Sequence, residues 1–269
     1  MSRADQPIGI FDSGIGGLTV ANAIQNVLPG ESLIYFGDTA HLPYGEKSAG
    51  AIRSYSLGIS DFLMERNCKA IVIACNTASS VAYEAVKEHV GDRSIVIDVI
   101  NPVAKNVAES YSQGTIGVIA TKATIRSDIY AKKITGLNPA LTVASLATPL
   151  LVPMIEEGFY NNKISRAVIE SYLSKPKLKN IDSLILACTH FPLIRPEIEE
   201  YYNNRVKIVD SAEIVADFVK AELESKKLLS SKKEKSHEFF VSDYTQSFEQ
   251  STRFFFKGEI KLQHYPLWK

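Results

Sequence analysis

Two short runs carry the chemistry of this chain, Ala74-Cys75-Asn76-Thr77 and Ala187-Cys188-Thr189-His190; each sets a thiol after an apolar run and follows it at once with side-chain hydrogen-bond donors. One such cysteine is ordinarily a buried structural thiol. Two in matched settings ask for more. A pair of thiols can form a redox disulfide, hold a metal, or act as an acid and a base. Redox pairs usually sit close together as CxxC, unlike positions 75 and 188. Cys75, Cys188 and His190 could also serve as three ligands of a catalytic zinc with an open position. Acid–base use is the reading that explains the pairing. Inverting a stereocentre means taking a proton from one face of a carbon and returning one to the other, which two similar groups across a planar intermediate can do. A free thiol titrates at about 8.5, so modest help makes one thiolate near neutrality while its partner stays protonated. Asp12 and His190 are the residues placed to orient and tune the two sulfurs.

Such residues need strand ends to hold them. Apolar runs at Ile8–Phe11, Leu33–Phe36, Ala70–Ala74, Ile95–Ile97, Thr115–Ile119, Leu141–Ser145, Ser183–Ala187, Val206–Val209 and Phe239–Val241 alternate with helix-period segments, the pattern of βα units around buried parallel sheets. Helices are expected at Leu18–Leu28, Lys47–Arg66, Ala78–His89, Pro102–Ser110, Ile164–Ser174 and Ala212–Glu224, with an aromatic helical pattern around Phe248–Phe256. The halves echo one another three times in order. Ile8–Ser13 resembles Ile116–Thr121, Ile71–Thr77 resembles Leu184–His190, and Ile95–Asp98 resembles Lys207–Asp210. This predicts an α/β fold of two pseudo-symmetric lobes, each a mainly parallel sheet flanked by helices, with the site in the cleft between them. Residues 1–99 together with 211–269 should make the first lobe, the carboxyl-terminal segment returning to it, and 100–210 the second. Within the returning segment, Lys226–Lys235 is charged and Ser-rich and is expected to be a solvated linker.

Composition narrows the class. The 269 residues carry 30 basic and 30 acidic side chains and only 3 cysteines, so there is no overall basic field to gather nucleic acid and no disulfide framework or four-cysteine zinc site. No apolar stretch approaches the ~18 residues of a membrane span, and the amino terminus lacks the apolar region of an export signal; the expectation is a cytoplasmic protein.

In open parallel sheets, ligands bind beyond the carboxyl ends of the strands. Asp12-Ser13-Gly14-Ile15-Gly16-Gly17 fits neither the dinucleotide nor the Walker spacing, but its backbone N–H groups and the helix start that follows suit a small anion such as a carboxylate. No lysine falls at a strand end in a recognisable Schiff-base setting; Lys122 reads as a loop residue. Cys68 reads as a passive thiol at a helix end, His41 as a loop residue at the cleft entrance or the surface. Tyr201-Tyr202 and Phe254-Phe255-Phe256 read as packing.

Taken in order, GIFDSGIGGL (9–18), YFGDTA (35–40) with Pro43-Tyr44-Gly45, ACNTA (74–78), VPMIEEG (152–158) and CTHFPL (188–193) resemble the glutamate racemases of bacteria, a likeness that runs from Ile8 to FFVSD at 239–243. The resemblance implies cofactor-independent interconversion of L- and D-glutamate for peptidoglycan synthesis, with no metal, in an enzyme that base rates make a homodimer. It further implies that Cys75 is the base toward D-glutamate and Cys188 toward L-glutamate, with Asp12 beside the first and His190 beside the second. Asp38 and Glu156 match further acidic positions, Glu157 being the neighbour that could replace the latter. Asp12, Ser13, Tyr44, Gly45, Asn76, Thr77, Thr121, Thr189 and His190 match substrate-binding positions. One departure is Ala147-Thr148-Pro149-Leu150, where many relatives have Cys-Pro; that cysteine is not one of the bases. Aspartate racemization, metal-assisted hydrolysis and simple amino-acid sensing are the rival readings.

Overall fold

The computed structural model describes residues 2–231 and 235–268, so residues 232–234 of the expected linker lie outside the described residues. Ten strands follow the apolar runs: β1 Ile8–Asp12, β2 Leu33–Gly37, β3 Ala70–Ile73, β4 Ile95–Asp98, β5 Gly114–Ala120, β6 Leu141–Ala147, β7 Ser183–Ala187, β8 Lys207–Asp210, β9 His237–Val241 and β10 Leu262–His264. The helices are α1 Leu18–Val27, α2 Ala49–Glu65, α3 Asn76–Val90, α4 Ile100–Ser110, α5 Lys122–Ser127, α6 Ile129–Leu137, α7 Leu151–Glu156, α8 Lys163–Leu173, α9 Arg195–Tyr201, α10 Ser211–Ser225 and α11 Gln246–Phe255.

Every residue of β1, β2, β3 and β7 is buried, which is why these strands read as unbroken apolar runs rather than alternating ones. They lie in two sheets, β10-β9-β2-β1-β3-β4 and β6-β5-β7-β8, in which every pair is parallel. The order β2-β1-β3-β4 in one is the order β6-β5-β7-β8 in the other. The three sequence echoes pair β1 with β5, β3 with β7 and β4 with β8, strands that hold the same place in each sheet, so the expected two-lobed α/β fold is what forms. Beyond the shared four, β9 joins β2 in register from Leu33 opposite His237 to Gly37 opposite Val241, and β10 pairs with β9. Helix α1 packs on α10, and α3 on α5 holds the first half of the chain against the second.

At the amino-terminal ends of the first sheet, opposite the cysteines, the fully buried Lys69 just before β3 pairs with Glu31 just before β2, and its ammonium also donates to the carbonyls of Ala4 and Leu228. This ion pair ties the amino-terminal turn and the segment after α10 to the sheet.

Several short elements were not legible in the pattern. β10 has only three residues, and α5, α7 and α9 span two turns or less, too few for a helical period to register. Asp128, with φ 56°, ends α5 in the left-handed region and separates it from α6. Lys122 is not a loop residue, as expected, but opens α5 and faces Glu46 at 3.3 Å across the exposed rim of the cleft.

Candidate active site

Cys75 immediately precedes α3 beyond β3, and Cys188 immediately follows β7, so the shared sheet order brings both sulfurs to one cavity. Ser13, Tyr44, Gly45, Asn76 and Thr77 line it from the first half of the chain, Thr121, Glu156, Thr189 and His190 from the second. Leu42, Pro43 and Val152, which sequence reasoning did not single out, complete the wall; apolar loop residues carry no signal of that role. The free space in the cavity measures about 30 Å³, room for a water or two.

The two sulfurs have unlike surroundings. Cys75 caps α3: its Sγ accepts from the Ala78 N–H at 3.4 Å and lies 3.6 Å from Ser13 Oγ. Burial, then the charge of Asp12, outweigh these hydrogen bonds and push the Cys75 thiol up to about 12, so it holds its proton at neutral pH. Asp12 itself does not line the cavity, contrary to expectation, and no hydrogen bond joins it to a sulfur. Its Oδ2 accepts from the Gly14 N–H at 3.0 Å, while Oδ1 is buried with no partner among the described residues. Burial raises the Asp12 carboxyl, opposed by the His190 charge and by backbone donors of the glycine loop.

At the second sulfur, Cys188 Sγ lies 3.8 Å from His190 Nδ1, and His190 Nε2 lies 3.0 Å from Glu156 Oε1. Glu156, rather than Glu157, is thus the carboxylate at the site. Burial works against the charged imidazole, but hydrogen bonds to Cys188 and Glu156 and their charges prevail and push His190 up to about 10. An imidazolium therefore stands beside Cys188 at neutral pH. Phe255 meets the His190 ring edge-on, and Gly16 passes so close that a Cβ there would lie 2.5 Å from His190 Cε1. Only glycine fits that approach.

Between the sulfurs the wall is made of donors. Asn76 opens α3, and its Nδ2 is buried without a partner among the described residues, an amide donor lacking an acceptor. Its Oδ1 accepts from Tyr130 Oη at 2.7 Å, and Thr77 Oγ1 meets Thr121 Oγ1 at 2.9 Å, both contacts reaching from the first sheet's helix α3 to the second half of the chain. Unpaired donors at a helix amino terminus suit a carboxylate. Among the described residues no group of three His, Cys, Asp or Glu has the arrangement to hold a metal ion.

Asp38 departs most from expectation. It does not line the cavity; wholly buried, it accepts from Tyr44 Oη at 2.6 Å and from Ser242 Oγ and Trp268 Nε1 at 2.7 Å each, with His41 Nδ1 2.9 Å away. Its distance from the chemistry is one residue, Tyr44. His41, half-buried and stacked on Tyr55 at 3.8 Å, is not among the residues that line the cavity. Cys68 is buried, with its thiol pushed up to about 12 by burial. Of the aromatic clusters Tyr202, Phe255 and Phe256 are buried, but Phe254 is exposed.

Comparison with known proteins gives concordant matches. Residues 18–219 match the family model described as Asp/Glu/Hydantoin racemase. The glutamate racemase of Chlorobaculum parvum is 46% identical over 94% of this chain and 93% of its own, and that of Geobacter metallireducens 44% identical over the same shares. Among solved structures, glutamate racemase from Francisella tularensis in complex with D-glutamate superimposes with a TM-score of 0.92 at 40% identity, covering 98% of each chain.

Proposed function

The chain belongs to the Asp/Glu/Hydantoin racemase family and is an isomerase acting on glutamate; from that premise we propose that it interconverts the L and D enantiomers by proton transfer between Cys75 and Cys188. The observation that carries this reading is that both sulfurs line one cavity walled by hydrogen-bond donors. In the L-to-D direction Cys188, next to the His190 imidazolium, removes the Cα proton as thiolate. The electron pair left on Cα delocalises into the α-carboxylate. The Cys75 thiol, protonated at neutral pH, then delivers its proton to the opposite face. The reverse direction exchanges the two roles, so one sulfur gains the proton that the other supplies, and the substrate leaves as its mirror image.

Removing so weakly acidic a proton requires that the growing carboxylate charge meet donors already in place. Ser13, Asn76, Thr77, Thr121 and Thr189 line the cavity, their hydroxyls and amide being the candidates for the two carboxylates, with Tyr44 and Gly45 beside them. A closed cavity excludes water and strengthens each of these contacts. Glu156 holds the His190 ring, and Asp12 supplies negative charge near Cys75, which favours the thiol over the thiolate. The wider reading is a cytoplasmic homodimer supplying D-glutamate for peptidoglycan.

The test is α-proton exchange and racemization of each enantiomer in heavy water. Cys75→Ser and Cys188→Ser should each lower racemization by about 10²–10⁴-fold, the usual worth of a positioned acid or base. Exchange without inversion should persist at the remaining thiol. Full racemization by either single variant would overturn the two-thiol mechanism.

A further inference from the structure

The chain's one tryptophan stands at position 268, beyond the last strand. Its Nε1 donates to Asp38 Oδ1 at 2.7 Å, and its ring lies against α2 where a Cβ on Gly58 would come 2.9 Å from Cζ3. The rings of Tyr55 and His41 meet it edge-on at 5.5 and 5.0 Å. Asp38 gathers donors from three separate segments: Tyr44 before α2, Ser242 just after β9, and Trp268 in the tail. Of these only Tyr44 reaches the cavity.

We propose that Trp268 is a positioning residue for glutamate turnover: through Asp38 it holds Tyr44, and with it the Tyr44–Gly45 wall, in the geometry that binds substrate. This rests on the function proposed above and deepens it. A buried carboxylate with several donors is rigid because every lone pair is engaged, and a charge-assisted hydrogen bond is about twice as strong as a neutral one. Trp268 supplies one of those bonds from a segment that touches nothing in the cavity. The carboxyl-terminal tail is thus part of the binding apparatus rather than a trailing end.

Wild-type turnover of glutamate is measured first; its absence would overturn the function proposed above, which separates that failure from failure of the tryptophan's role. Trp268→Phe keeps a ring on Gly58 and deletes the N–H. It should raise KM for both enantiomers by about three- to ten-fold with kcat within about twofold, as expected for one lost charge-assisted bond remote from the reacting atoms. Tyr44→Phe should do the same, and the double variant should be no worse than the worse single one, because both act through Asp38. Unchanged kinetics in Trp268→Phe, or additive effects in the double variant, would overturn the proposal. A direct measurement needs no variant and stands even if Trp268→Phe does not fold. Since Trp268 is the only tryptophan, titrating D-glutamate into the wild type should shift its emission with a midpoint near KM; emission blind to saturating D-glutamate would overturn it equally.

Discussion

Gly16→Ala is the sharpest probe of the site, since it adds one methyl group and changes no charge. Gly16 has no need of a left-handed backbone, so any effect comes from space. The new Cβ would lie 2.5 Å from His190 Cε1, 2.6 Å from Nδ1 and 2.7 Å from Thr189 Oγ1, where ordinary contact begins at 3.4 Å. Something must therefore yield by about 0.9 Å. The ring has little freedom to do so, being buried, held by Glu156 on Nε2 and met edge-on by Phe255. Its contact with Cys188, already 3.8 Å, has no slack. A misplacement of about 1 Å can cost about 10²-fold in rate, and overpacking costs about 1–3 kcal/mol of stability. Racemization of each enantiomer, followed by circular dichroism, should lose about 10²-fold in kcat/KM. Because two enantiomers in water have an equilibrium constant of unity, the loss must be the same factor in both directions, an internal check on the assay. Gly50→Ala in α2, where a Cβ meets nothing within 4 Å, is the control and should keep full activity. If Gly16→Ala retains kcat/KM within about threefold, or loses it only in step with a stability loss beyond about 3 kcal/mol, then the placement of His190 is not what the rate depends on.

Other expectations follow from the same geometry. Folding holds a proton on His190 from its ordinary 6.5 to about 10 and on Cys75 from 9.0 to about 12, so each group's stabilisation is complete below its unfolded pKa and lost as pH rises through its folded one; Tm should fall between pH 6.5 and 10, and His190→Gln should flatten that slope. Glu31→Gln strips the buried Lys69 of its anion and should cost about 3–5 kcal/mol in urea unfolding, with KM for glutamate unchanged because the pair lies at the far end of the sheet. Tyr130→Phe leaves buried Asn76 without its one side-chain partner and should cost about 1–3 kcal/mol by the same measurement; no loss would mean that the 2.7 Å hydrogen bond contributes nothing.

Sequence and structure agree where burial dictates pattern. Parallel strands covered on both faces must be continuously apolar, so β1, β3 and β7 and the thiols that follow the last two could be read directly, and the three echoes fall on strands that hold equivalent places in the two sheets. What escaped was whatever depends on distant segments meeting. Asp38 follows a strand as a site residue should, yet its carboxylate turns to Ser242 and Trp268, which only the pairing of β9 with β2 brings near. Asp12 is similar: its position by the loop was legible, its retreat behind the glycine backbone was not. The choice between Glu156 and Glu157 depended on which side of a six-residue helix faces His190, finer than periodicity resolves.

The contacts from Asn76 to Tyr130 and from Thr77 to Thr121 have a further consequence for affinity. Each ties helix α3 to the second half of the chain beside the cavity. A substrate that enters by parting the lobes would have to break both, and whatever fraction of molecules these contacts hold shut lowers the apparent affinity by that fraction. Loosening them would ease entry and product release while admitting water to the reaction.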